Sequence, residues 1–224
     1  MHCVVTAGPT YEPMDEVRRL TNFSTGRLGS ELAAYLRAQG HRVTLLLGEQ
    51  ATYRPREGEV AEMFTTTEDL RARLERLARP SQPEPVDAVF HAAAVSDFKF
   101  GKIWQRSPEG ALTELKGRKI SSRLESMLVE LVAAPKIIGE LRGWFPHACL
   151  VGWKYEVDDG RPSVIGKAER QIGENRIDAC VANGPAYGPG FGLVTTGHGC
   201  AHLEGALVLF GALAKLLGRG GKSD

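Results

Sequence analysis

The sequence predicts an α/β fold: a doubly wound, mostly parallel, Rossmann-like sheet with helices on both faces and a hairpin arm or flap. Three observations predict it. Short apolar runs of strand length alternate with longer amphipathic stretches along most of the chain, the pattern of parallel strands joined by helical crossovers. The first run passes into a helical pattern through a polar loop that ends in glycines, within TAGPTYEPMDEVRRLTNFSTGRLG from Thr6 to Gly29. Residues 99–130 break the alternation with short segments punctuated by Gly101, Pro108, Gly110 and Gly117, which reads as the arm.

Taken in order, His2 to Ala7 is short and apolar enough for a buried parallel strand, and Leu28, Leu32, Ala33 and Leu36 fall on one face of a helix. His41 to Leu47 is a second strand and Glu59 to Thr66 a short third. Thr67 is read as the cap of a helix that starts Glu68-Asp69, where acidic groups suit the positive helix end, and runs to about Leu77. The proline-rich SQPEP, Ser81 to Pro85, is a surface loop before a buried strand from Asp87 to Ala94. Later strands are His147 to Trp153, Ile177 to Ala182 and Phe191 to Thr196. Helices are expected near Pro135 to Trp144, Pro162 to Asn175 and Leu203 to Leu217. Right-handed crossovers follow from the general rule. With no repeat and no change of composition, residues 1–224 are read as one domain, its arm at about 99–130.

A chain of 224 residues can bury about 70% of its unfolded surface, enough for a core without disulfides or metal. A net charge of +1 supplies no basic field of the kind nucleic-acid binding needs, so no nucleic-acid partner is expected. The apolar stretch Ala206 to Leu217 contains Lys215 and is too short to cross a bilayer, so no membrane partner is expected either. Cys3, Cys149, Cys180 and Cys200 are far apart and form no CxxC pair, which fits free thiols in a reducing compartment. The chain enters its first strand after one residue without a basic, apolar or cleavage-site pattern, and a cytoplasmic protein is expected.

The glycine-terminated loop carries the chemistry. Ser24, Thr25 and Gly26 place hydroxyls and backbone N–H groups at a helix N-terminus, where the aligned peptide dipoles favour an anion. Gly26 and Gly29 permit close approach of a ligand or a neighbouring strand. His198 and His202 are four apart, but Gly197 and Gly199 make their segment a turn and no carboxylate follows at a matching spacing, so no metal site is assigned.

That loop, together with HAAAVSDF (His91 to Phe98), RKISS (Arg118 to Ser122), LVGWKYE (Leu150 to Glu156) and DACVAN (Asp178 to Asn183), resembles phosphopantothenate–cysteine ligase. The family is that of phosphopantothenoylcysteine synthetase, the C-terminal domain family of the bacterial DNA/pantothenate metabolism flavoprotein, and the resemblance leads us to expect its stand-alone form. The likeness spans roughly residues 4 to 196. It implies a ligase of coenzyme A biosynthesis that makes an acyl-nucleotide from 4'-phosphopantothenate and CTP or ATP with Mg2+, then an amide with cysteine. Magnesium would be held mainly by phosphate oxygens and water. Family members are dimers whose arm completes the neighbouring site, so residues 99 to 125 are expected to cross to a partner chain.

The resemblance also assigns residues. Asn22 would serve the acyl-nucleotide and its attack by cysteine, an uncharged amide able to donate to a developing oxyanion; by type alone it more readily caps a turn. Lys119 would face the α-phosphate, although a lone lysine is by itself more readily a solvated one. Gly8, Ser24, Thr25, Gly26 and Arg27 would form the phosphate side of the nucleotide site, and Ala93, Ala94, Val95, Asp97 and Pro135 its wall. Trp153 would lie beside the base or pack in the core.

Three departures from the family's pattern stand out. Ser121 and Ser122 occupy places where bacterial two-domain members commonly continue the lysine motif. Gln171 and Asn175 hold the places of two lysines found in CTP-using members, which points to a different base contact, as in the ATP-using eukaryotic enzymes. Gly184 follows Asn183 where an aspartate is usual.

Two rival readings share the fold. An NAD(P)-dependent oxidoreductase would need the GxGxxG fingerprint, and the first turn instead reads AGPTYEP. A non-catalytic nucleotide-binding module is the other, favoured by Gly184 and by the serines after Lys119.

Overall fold

A computed structural model describes residues 1–55, 60–80, 84–117, 119–121 and 123–218. The expected strand start at Glu59, most of the SQPEP loop, and Arg118 and Ser122 of the RKISS segment lie outside the described residues.

The chain begins with β1 (His2–Ala7), a short hairpin β2 (Tyr11–Pro13) and β3 (Arg19–Thr21), then α1 (Arg27–Ala38), β4 (Arg42–Gly48), β5 (Glu62–Phe64), α2 (Thr67–Leu77) and β6 (Ala88–His91). The arm is β7 (Phe98–Arg106), β8 (Leu112–Glu114) and β9 (Met127–Ala133). There follow α3 (Ile137–Trp144), β10 (Cys149–Tyr155), α4 (Gly160–Asn175), β11 (Ala179–Asn183), β12 (Phe191–Thr195), β13 (Gly199–Leu203) and α5 (Ala206–Leu217).

Eight strands form one sheet in the order β13-β12-β11-β10-β6-β1-β4-β5. From β11 to β5 all pairs are parallel, whereas β12 and β13 run antiparallel at the edge. Apolar side chains leave the sheet on both sides, as strands covered on both faces must. One layer packs β1, β4 and β10 against α1 and α5 through residues such as Val5, Leu32, Leu36 and Phe210. The other packs Val4, Leu46 and Leu150 against α2, α3 and α4 through Leu70, Leu141 and Ala168. The order reverses between β1 and β6, since the chain winds outward from β1 to β5 and then crosses back. That is the switch point at which open α/β sheets bind ligands.

Four expectations are corrected. The N-cap of α2 is Thr66, whose hydroxyl accepts from the Asp69 N–H at 3.1 Å; Thr67 is buried in the first turn. The helix expected from Leu203 starts at Ala206, because the glycine turn at Gly197 and Gly199, with φ of 74° and 67°, folds the preceding residues back as β13. The stretch expected as a continuous loop contains the β2–β3 hairpin, set by cross-strand pairing of Tyr11 with Thr21 and Pro13 with Arg19. Helix α4 starts two residues before Pro162, which the first turn accepts because a proline there lacks an N–H that would have no helical partner. The arm is a three-stranded antiparallel sheet of order β8-β7-β9, with β7 also lying against β2.

Candidate functional site

At the carboxyl ends of β1, β6 and β10 lies a cleft of about 740 Å³. Its glycines are fixed by geometry. Gly8 and Gly26 both have φ of 78°, and a Cβ on Gly8 would come within 2.9 Å of the Ala51 Cβ. A Cβ on Gly29 would lie 2.7 Å from the Ala7 Cβ, so this glycine lets α1 sit down on β1. The chain therefore enters α1 directly over the end of β1, aiming the helix's first N–H groups at the cleft. Thr25 accepts from the Arg27 N–H through its hydroxyl at 3.2 Å, and the Arg27 side chain is held by Glu31 at 2.7 Å.

The opposite wall is the loop after β6. The Ala94 N–H donates to the Gly8 carbonyl at 2.9 Å and the Thr10 N–H to the Ala94 carbonyl at 3.1 Å, extending the β1–β6 ladder into the loops. Thr10 and Ser96 share buried hydroxyl bonds beneath it. The Asn22 amide bridges the two walls, its Nδ2 donating to the carbonyls of Ala94 and Val95, each at 3.3 Å. His91, at the floor, is buried with its Nδ1 2.9 Å from the Thr6 hydroxyl; burial pushes its pKa down from 6.5 to about 4, so it is neutral at pH 7.

Of the residues expected in the site, Gly8, Asn22, Ser24, Thr25, Gly26, Arg27, Ala93, Ala94, Val95, Asp97, Pro135 and Trp153 all line this one cleft. Lys119 does not: it is exposed, in the arm segment fastened to residues 15–18, and is absent from the cleft of its own chain. Gln171 reaches the cleft and donates to the Trp153 carbonyl at 3.3 Å, while Asn175, one turn on, bonds back to the Gln171 carbonyl at 2.8 Å and does not line it. Gly184 has its own reason: φ is 106° and a Cβ would meet the Glu156 backbone nitrogen at 2.8 Å, so an aspartate would not fit this turn.

Sequence reasoning missed Lys136, Lys154 and the full exposure of Phe23 at the cleft mouth. Lys136 pairs with Asp97. Lys154 pairs with Glu156 at 3.1 Å, and Glu156 also meets Lys167 at 2.7 Å; the hydrogen bond from Lys167 is the largest influence on the Glu156 carboxyl, burial opposes it, and Lys154 adds to it, so the carboxyl is held below its ordinary range. The lysine after Trp153 was visible in the sequence, but nothing local said that it turns toward the cleft. Two buried polar atoms on lining residues, Trp153 Nε1 and Asn183 Oδ1, have no hydrogen-bond partner among the described residues, one a donor and one an acceptor. A cleft with a helix N-terminus, three cationic side chains, Arg27, Lys136 and Lys154, and an unsatisfied donor and acceptor suits an anionic ligand with a polar ring. Asp97 is the one carboxylate among the described lining residues.

All four cysteines are free. Burial raises the thiol pKa of Cys3 to about 11 and those of Cys149 and Cys180 to about 12, which makes them poor nucleophiles at neutral pH. No described helix is long and apolar enough to cross a membrane.

Residues 1–199 match the family described as the DNA/pantothenate metabolism flavoprotein C-terminal domain, and the chain belongs to that family. It is 31% identical over 180 residues to the coenzyme A biosynthesis bifunctional protein CoaBC of Thermococcus kodakarensis, covering 80% of this chain and 40% of that protein. The chain thus spans about two fifths of the length of the curated relatives it matches. A DNA/pantothenate metabolism flavoprotein structure from Streptococcus pneumoniae superposes with a TM-score of 0.80 at 24% identity, covering 98% of this chain and 99% of that one. A mutant Cab2 in complex with phosphopantothenate-cysteine superposes with a TM-score of 0.70 at 18% identity, covering 98% and 86%. At these identities the two superpositions establish the doubly wound fold.

Proposed function

We propose that this chain is a nucleotide-dependent phosphopantothenate–cysteine ligase, a carbon–nitrogen ligase of coenzyme A biosynthesis. The observation that carries the reading is the convergence of the α1 N-terminus, Asn22 and the Ala94–Val95 loop on one cleft at the switch point of the sheet. Family membership supports the same chemistry and does not favour the oxidoreductase reading.

In the first step a carboxylate oxygen of 4'-phosphopantothenate attacks the α-phosphorus of CTP or ATP. The bond to pyrophosphate breaks and an acyl-nucleotide remains. In the second, the amine of cysteine attacks the acyl carbon, the nucleoside monophosphate leaves, and the amine loses a proton. The protein's part is to hold the reactants together and to neutralise charge. Ser24, Thr25, Arg27 and the amides of the first turn of α1 cradle phosphates. Trp153, Asn183 and Gln171 meet the base. Asn22 faces the acyl group, and its amide would exchange a carbonyl partner at residue 94 or 95 for the developing oxyanion. Magnesium, held by phosphate oxygens and water, would offset triphosphate charge beside Asp97.

Lys119 lies outside its own cleft, which agrees with an arm that serves a second copy. Exposed Phe98, Leu112 and Leu131 on that arm supply apolar surface for such a homodimer. A non-catalytic module remains the second reading, favoured by that same placement of Lys119. Pyrophosphate release that requires 4'-phosphopantothenate, with product that requires cysteine, distinguishes the two. Release from neither CTP nor ATP would overturn the ligase. Running the assay with CTP and with ATP reads the base preference that uncharged Gln171 sets.

A further inference from the structure

Lys136 is placed where stability alone would not put a lysine. It is the N-cap of α3, with no side chain capping that end, so its ammonium adds to the positive pole of the helix rather than offsetting it. The acidic residue of the first turn, Glu140, is committed elsewhere: Arg71 grips it through Nε at 3.0 Å and through a second nitrogen at 2.6 Å. Pro135, just before, removes one backbone donor and fixes the approach of the chain to the cleft.

The ammonium's partner is Asp97, on the loop after β6. Both side chains are about two thirds exposed, and exposed ion pairs contribute about 0–1 kcal/mol, so the pair adds little stability and opens at little cost. Both line the cleft, across from the N-terminus of α1. A ligand hydroxyl that donated to Asp97 would leave Lys136 with an unmatched charge at a helix N-terminus, and an anionic oxygen is what that place would then accept.

We infer that Lys136 binds a phosphoryl group of a substrate, and that Asp97 holds the ammonium in place until the ligand takes it over. This rests on the ligase reading. It supplies a cation from within the same chain, on the wall opposite the phosphate loop, where Lys119 of that chain does not reach. Two substrates of the proposed reaction carry such a group, the nucleoside triphosphate and 4'-phosphopantothenate.

Titration calorimetry of the full chain with CTP, ATP and 4'-phosphopantothenate separates them. Lys136→Gln is expected to weaken one class of ligand about tenfold, the value of one charge-assisted bond, with the thermal midpoint unchanged and affinity restored in Lys136→Arg. Loss confined to CTP or ATP assigns the nucleotide; loss confined to 4'-phosphopantothenate assigns the other phosphate. Undiminished binding of all three, or a loss that Lys136→Arg does not restore, overturns the inference. If the unaltered chain binds none of the three, the ligase reading itself fails and Lys136 loses this role with it.

Discussion

The backbone N–H of Ile120 donates to the Asp15 carboxylate at 3.1 Å, while Arg18 donates to the Ile120 carbonyl through both terminal nitrogens at 3.2 Å. Asp15 and Arg18 are themselves paired at 2.9 Å. The residue beside Lys119 is thus clamped at both backbone polar groups, which fixes where the arm presents its ammonium. Burial opposes the charge on Asp15, but N–H groups of Val17, Ile120 and Arg18, with the Arg18 guanidinium, outweigh it and hold the carboxyl below its ordinary range. The clamp therefore persists at neutral pH and is lost only as pH falls through that lowered pKa.

Asp15→Asn tests whether the clamp matters for chemistry. It keeps the shape but turns an acceptor toward a donor against Ile120, so nucleotide-dependent pyrophosphate release is expected to fall about tenfold while the chain stays folded. Stopped assays of pyrophosphate alongside a melting curve check this. An unchanged rate would show that Lys119 needs no such positioning.

Asn22→Asp replaces the two N–H donors facing Ala94 and Val95 with a carboxylate. The first step is expected to proceed, because the phosphate cradle is intact, and the second to stall for want of an amide donor, with roughly a hundredfold loss or more in product formation. Acyl-nucleotide should then accumulate in quenched reactions with labelled 4'-phosphopantothenate. Equal losses in both steps would remove Asn22 from the acyl transfer.

At Gly29, alanine would force the new methyl against Ala7 and the Thr6 carbonyl, 2.7 and 3.1 Å from the ideal Cβ position. Lifting α1 off β1 is expected to cost about 1–3 kcal/mol, and to misaim the N–H groups over the cleft. Urea unfolding reports the first effect and nucleotide titration the second.

His91 makes stability depend on pH. Its folded pKa, about 4, lies below the ordinary 6.5, so between these values the unfolded chain binds more protons than the folded one. This residue's contribution to stability is full above about pH 6.5 and declines as pH falls toward 4, by up to roughly 3 kcal/mol. His91→Gln, which takes up no proton there, should flatten that part of the curve. A curve of the same slope in both proteins would assign the effect to other groups.

Much of this molecule was legible locally. Runs such as Cys3-Val4-Val5 and Leu45-Leu46-Leu47 are buried on both faces, so continuous apolarity alone marks them as parallel strands. The phosphate loop was readable because Gly26 and Gly29 do their work within a few residues of the helix they introduce. The edge strand β13 and the β2–β3 hairpin were not, because their short, partly polar segments are strands only through the neighbours they pair with.

What the sequence by itself determined is the layered sheet and the identity of the groups at its switch point, since burial period and glycine geometry are properties of consecutive residues. Only the tertiary structure decided which distant groups meet. Asn22 finds Ala94 across 72 residues, Ile120 finds Asp15 across 105, and Lys136 finds Asp97 across 39. Those meetings depend on where the chain crosses back between β5 and β6 and on where the arm leaves the sheet. No local propensity encodes such crossings, because the energy that selects them is collected only when the whole core closes.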